Sequence, residues 1–450
     1  MEAQTEMNNG GGGESINGGG FLASCWLRLA SAADGLRCSV AGFAGRLAGI
    51  AREDPRRVVH SLKFALALTL VSVLYYITPV FDGFGQSSTI WAVFTVVFIM
   101  EPTIGGTVGK GLNRTVGTLV AAALGVGAHQ VADLCGHKGE LILLSVLVFS
   151  TASAATFSRF IPGVKARYEY GVVVFILTFS LVAVSSYRVE DLIQLAQQRF
   201  TTIATGVAIC LFTNIFVLPV WAGEDLHELA AGNLDNLAEF LEGMGSEYLG
   251  ENSSTENLEG KAFFKAYKSV LNSKPRENTL CTLAKWEPGH GKFSFRHPWS
   301  QYQKLGALSR QCASSMEALA SYLMTRTKSQ YPKADPGLCL NVQTACAEMT
   351  LHSAKALREL SSAVRTMTTP SPTNNDMSAA IEAANRLRSE LSNDAAALLH
   401  VMHMAVNASL LSDMVTQITK IAESVENLAR CAHFKSPHKA RVGVAINVVG

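Results

Sequence analysis

WAVFTVVFIMEPTIGGTVGKGLNRTVGTLVAAALGVGA, residues 91–128, decides how this chain is read. Its two ends are apolar enough for a membrane. Its middle, Glu101 to Arg114, holds a carboxylate, a proline, four glycines, a lysine and an arginine. Each charge at such a depth costs several kcal/mol unless it faces water, protein or a partner. Irregular or closely packed backbone is tolerated there only inside protein or beside water.

Composition widens the argument to the whole chain. Of 450 residues, 48% are hydrophobic and 16% charged, against about 25% charged in ordinary soluble proteins. The deficit lies between Leu62 and Trp221, which hold seven acidic and nine basic residues, whereas residues 222–450 carry charge at an ordinary soluble density. A membrane half followed by a soluble half is expected, and a net charge of +2 gives no reason to expect a nucleic-acid partner.

A spanning helix needs ~20 mostly apolar residues. Six segments qualify: 62–80, 88 to about 107, 115–134, 140–160, 168–187 and 199–221, the second being weakest because its lower half is EPTIGGTV. Lysine and arginine are retained on the cytoplasmic side. They crowd AREDPRRVVHSLK before the first segment, the loop holding Lys110 and Arg114, and RFIPGVKAR. Both termini are therefore expected in the cytoplasm.

Three charged groups invite a role in transport. Arg114 opens the third segment and Arg199 the sixth, and with Lys110 they would lower the energy of an anion along a membrane path. The alternative is that long basic side chains near helix ends reach the headgroups, which is the expectation for Lys165 and Arg167. A bare carboxylate at Glu101 would repel an anion. Among proton carrier, pore charge and structural partner, we expect an ion pair with a basic residue such as Arg114 or Arg199.

Other patterns fail as enzyme signatures. GGTVGKG lacks the spacing of a phosphate-binding loop, and Lys110 is followed by Gly111 rather than Ser or Thr. His400 and His403 share a helical face without a carboxylate or cysteine to complete a metal set. Nine cysteines show no C-x-x-C pair and are expected to be free buried thiols. No cofactor, metal site or nucleophile motif is expected, and an enzyme is poorly supported.

The glycine-rich residues 1–20 read as a disordered tail, 21–60 as an N-terminal cytosolic or interfacial helical region and 61–221 as the membrane domain. Residues 222–435 keep apolar positions at i, i+3, i+4 spacing over five long helices and form a helical domain, before a short tail at 436–450. Thr369 and Ser436 are each followed by proline. The fold class expected is all-α: six transmembrane helices, then a helical cytosolic domain.

Several stretches resemble the plant aluminium-activated malate transporter family of anion channels. They are EDPRRV, WAVFTVVFIMEPTIGGTVGKGLNR, RFIPGVKARYEYGVVVFILTFSLVAVSSYR, LPVWAGEDLH and KWEPGHGKFSFRHPW, the last carrying the family's cytosolic Trp-Glu-Pro signature as Trp286-Glu287-Pro288. EPTIGGTVG departs from the commoner family pattern EFSVGATLG by its proline. The resemblance implies a homodimeric channel with lipid-embedded helices and passive flux of malate and inorganic anions, in the plasma membrane or, as a lesser expectation, the vacuolar membrane. It implies pore roles for Arg114 and Arg199. For some members it implies opening by external Al3+, sensed here by Asp82, Glu190 and the neighbouring Asp191, and for others inhibition near Phe216. Against the channel stand two alternatives: a proton-coupled organic-anion exporter using Glu101, and a membrane-anchored helical scaffold.

Overall fold

The computed structural model describes residues 37, 39–77, 89–185, 192–247, 263–294, 296–326, 336–370, 375–393 and 402–436. Asp82, Glu190, Asp191, His400 and the glycine-rich tail lie outside them. The chain divides into two compact units, 1–63 and 64–450. In the first, a helix over 39–53 (α1) is exposed along most of its length, and Asp54 bonds Arg57 at 3.2 Å as the next helix starts.

The apolar half consists of α2 (Pro55–Tyr76), α3 (Thr89–Ile99), α4 (Ile104–Asp133), α5 (Gly136–Ser158), the short α6 (Pro162–Arg167), α7 (Glu169–Ser185) and α8 (Leu192–Phe216). Four of these, α2, α4, α5 and α8, are long and apolar enough to cross a membrane, and α3 and α7 are apolar but shorter within the described residues. Their outward faces carry Phe94, Phe98, Phe149, Phe157 and Phe160, all exposed. Such a density of exposed aromatic surface is a liability in water and an asset in lipid.

EPTIGGTVGKGLNR is divided otherwise than the hydropathy reading supposes. The second segment does not continue to 107: α3 ends at Ile99, only Met100 to Thr103 turn, and α4 runs on from Ile104 through Arg114. Pro102 cannot donate in a helix, and Thr103 caps α4 by accepting from the Gly106 N–H at 3.3 Å. The glycines are therefore helical, and they set how closely neighbours approach. A Cβ on Gly111 would meet Val207 of α8 at 3.0 Å, and one on Gly117 would meet the Gly171 carbonyl of α7 at 2.7 Å.

The second half comprises α9 (Ala222–Glu247), α10 (Phe263–Leu271), α11 (Lys274–Ala284), α12 (Trp299–Arg326), α13 (Pro336–Thr366), α14 (Asn375–Asn393) and α15 (Met402–Cys431). Its apolar stripes meet in one core around Phe240, Tyr302, Leu305, Met316, Leu357 and Ile418. Two short helices, α10 and α11, were not among the five long ones expected. Within the core, Glu277 accepts from Ser273 (2.6 Å) and Asn233 (3.1 Å) and pairs with Arg310, tying α11 to α9 and α12. The free cysteines divide: 210, 281, 312 and 346 are buried, while Cys135 and Cys431 are exposed at helix ends, correcting the expectation of burial throughout. No strand occurs among the described residues.

Candidate functional site

The start of α4 and the end of α8 meet, so these two helices run antiparallel. Ile104 donates its N–H to the Val220 carbonyl at 3.0 Å. Asn214, fully buried, donates to Thr107 Oγ1 (2.7 Å) and to the Glu101 carbonyl (3.0 Å), and Thr107 Oγ1 in turn accepts from the Glu101 N–H (3.1 Å). A buried amide must find such partners. Here it fixes the only irregular stretch between α3 and α4.

From that level Arg114 lies seven residues along α4 and Arg199 fifteen residues back along α8. At 1.5 Å per residue they stand about 10 Å and about 22 Å above the knot, at different heights of one helical assembly. Arg114 is 4% exposed and donates to Tyr170 Oη at 3.0 Å. Its Nε is buried with no acceptor, and no carboxylate pairs with it among the described residues. Arg199 lies over the Trp91 ring, 4.4 Å from its centroid, and its Nε is likewise buried without an acceptor. Among the described residues both guanidiniums are thus held by aromatic groups and meet no carboxylate.

Glu101 does find a cation, but it is Lys110, nine residues on in the second turn of α4, and not Arg114 or Arg199. Lys110 also stands 5.9 Å from the Tyr170 ring. Among the described residues the pairing leaves both arginines without a carboxylate, which the expected pair would not have done. Phe216 is 70% exposed at the end of α8 and packs at a tilt against Phe212, ring centroids 4.7 Å apart.

Below this lies the joint with the second half, built by Trp286-Glu287-Pro288. The Glu287 carboxylate accepts the N–H groups of Ala222 (2.6 Å) and Gly223 (3.0 Å) at the start of α9, and its side chain lies against Gly105 at the start of α4. The anion caps the start of α9 and stands beside the start of α4, a favourable place at both helix dipoles. Burial raises the carboxyl above the usual range and these amides pull it back. The approach demands glycine: a Cβ on Gly105 would stand 2.3 Å from the Leu283 carbonyl, and one on Gly223 2.5 Å from Trp299. Trp286 presses on Gly109, carries Arg167 over its ring at 4.7 Å, and meets Tyr168 edge-on at 6.3 Å. Arg167, expected at the headgroups, thus sits against the joint.

Next to it two histidines flank Tyr302, and a third, His290, stands nearby. His227 Nδ1 lies 2.9 Å and His297 Nε2 3.3 Å from its hydroxyl, and His290 stacks on Trp221 at 3.6 Å. Burial lowers His227, and burial with the neighbouring histidines lowers His297 to about 4. Among the described residues no His, Cys, Asp and Glu group is placed to hold a metal.

Residues 48–400 match the protein-family model described as "Aluminium activated malate transporter". The chain belongs to that family. It is 61% identical over 426 residues to aluminum-activated malate transporter 1 of Triticum aestivum, covering 94% of this chain and 92% of that protein. It is 44% identical to aluminum-activated malate transporter 2 of Arabidopsis thaliana, covering 87% and 78%, and 42% identical to aluminum-activated malate transporter 7 of the same plant, covering 86% and 82%. Membership places the chain among transport proteins rather than enzymes. The sequence reading had found Arg114, Arg199, Lys110, Glu101 and the Trp-Glu-Pro signature. It missed Trp91, Tyr170 and Asn214, of which only Asn214, a lone amide in TTIATGVAICLFTNIF, carries a signal a polar-in-apolar search would find.

Proposed function

We propose that this chain is an anion channel of a plant membrane, conducting malate and inorganic anions passively past Arg114 and Arg199, with Lys110 beside the entrance. One observation carries the reading: Arg114 is buried in an apolar helix assembly, with a donor unused and, among the described residues, no carboxylate to neutralise it. Two partly satisfied guanidiniums at different heights attract a dicarboxylate and hold it weakly enough to release it. The malate in the names of its relatives supports the substrate.

In the full account six helices span, α3 and α7 completing the four long ones, and two copies assemble as a homodimer in the plasma membrane. Basic loops keep both termini and the second half in the cytosol. Asp82, Glu190 and Asp191, hard-oxygen ligands on the opposite side, bind external Al3+ and favour opening. Phe216 and the Trp-Glu-Pro joint regulate. The Glu101–Lys110 pair favours a structural carboxylate over a proton carrier, and this separates the channel from a coupled exporter. Purified chain in planar bilayers gives malate currents whose reversal potential follows the malate gradient and ignores an imposed pH gradient. A reversal shifted in fixed stoichiometry by pH, or no current at all, overturns the proposal.

A further inference from the structure

Two helix ends, 66 residues apart in sequence, are closed in the same way and then joined. At the end of α13, Thr368 donates its N–H to the Ala363 carbonyl (3.0 Å) around Met367, whose φ is +54°. At the end of α15, Phe434 donates to the Ala429 carbonyl (2.9 Å) around His433, whose φ is +55°. Neither turn residue is glycine, so each holds a left-handed conformation that its side chain disfavours. The extended residues that follow pair in parallel: Lys435 donates to the Met367 carbonyl at 2.9 Å, and Thr369 donates to the Lys435 carbonyl at 3.0 Å.

The pair ends on two hydroxyl-proline dipeptides, Thr369-Pro370 and Ser436-Pro437. Proline pushes the residue before it to extended backbone, the form in which a proline-directed kinase takes a serine. Thr369 is half-buried with its N–H engaged, whereas Ser436 is exposed and is followed at three residues by Lys439. The clasp holds more than itself, because the Arg365 carbonyl in the last turn of α13 lies 3.5 Å from His227 Nε2 of α9, the helix whose start Glu287 secures.

We infer that Ser436 is a modification site for a proline-directed serine/threonine kinase, and that phosphate there opens the clasp between the ends of α13 and α15. The step consumes ATP: the serine Oγ bonds to the γ-phosphorus, the bond from that phosphorus to the β,γ-bridging oxygen breaks, ADP leaves, and the hydroxyl proton passes to the kinase's carboxylate. The product carries about −1.5 to −2 charges beside two helix C-termini, each the negative end of its dipole. Repulsion from both ends, next to two disfavoured turns, loosens the Thr369–Lys435 pairing. In the cell this rests on the second half facing the cytosol, as proposed above; the chemistry itself is tested on the purified chain.

The test uses the full chain in detergent with ATP and a purified proline-directed kinase, read by peptide mass and amide hydrogen exchange. Ser436 takes a phosphate, Ser436→Ala and Pro437→Ala do not at that position, and the Thr369 and Lys435 amides then exchange about tenfold faster. Phosphate found only elsewhere, for example at Ser371, overturns the site. Phosphate on Ser436 with unchanged exchange at both amides overturns the opening.

Discussion

Replacing Glu287 by alanine leaves the Ala222 and Gly223 amides without their shared acceptor in a buried joint. A buried donor without a partner costs about 1–3 kcal/mol, so the set amounts to roughly 3–5 kcal/mol once some water enters. For a helical half of this size that is a fall of about 10 °C in melting temperature. Glu287→Gln keeps an oxygen but no charge, and should cost about 1–2 kcal/mol, the difference between an anion and a neutral cap at helix N-termini. Thermal unfolding of the detergent-solubilised chain gives the order wild type, Gln, Ala. Amide exchange should rise first at Ala222 and Gly223, where the clamp acts. Exchange at these two amides unchanged in both variants would refute the clamp, whatever happened to the melting temperature.

Gly105→Ala drives a methyl into the Leu283 carbonyl, a backbone atom that cannot swing aside, and should destabilise the joint by about 2 kcal/mol or more in thermal unfolding. His297 has a folded pKa lowered to about 4 from 6.5, so its contribution is complete above pH 6.5 and is lost as pH falls toward 4. About 3 kcal/mol should disappear over that window, and His297→Phe, which cannot titrate, should flatten the stability profile there measured by denaturant unfolding. Lys110→Met removes the cation beside Glu101 and should slow protein folding less than it lowers malate current, as read by comparing surface expression with conductance.

Much of this was legible in the residues. The membrane half follows from the charge gap between Leu62 and Trp221, and the long amphipathic helices α9, α12, α13 and α15 from their 3.6-residue periodicity. The boundary at Glu101 was not, because hydropathy averages over a window wider than the four residues that turn. Thr103 as a cap and Pro102 as a breaker held the information, and a stop-and-start signal outranks mean hydropathy there. α10 and α11 escaped because each is too short for a periodic pattern to stand out. Lys110 as the partner of Glu101 was missed for a related reason: with α4 starting at Ile104, Glu101 folds back against Gly106 and Thr107, one turn before the lysine, which a loop assignment hides. The roles of Tyr170 and Trp91 arise only in three dimensions, since nothing local distinguishes them from other aromatic residues in apolar helices.

The anion path itself is tested most directly by the charge at Arg114 and Arg199. Malate and chloride currents are recorded from Arg114→Gln and Arg199→Gln, each shown by surface labelling to reach the membrane in wild-type amount, with Arg114→Lys as the charge-retaining control. The account predicts that both neutral variants lose most of the anion current and that the lysine variant keeps a substantial part of it. Wild-type currents from both neutral variants would contradict it.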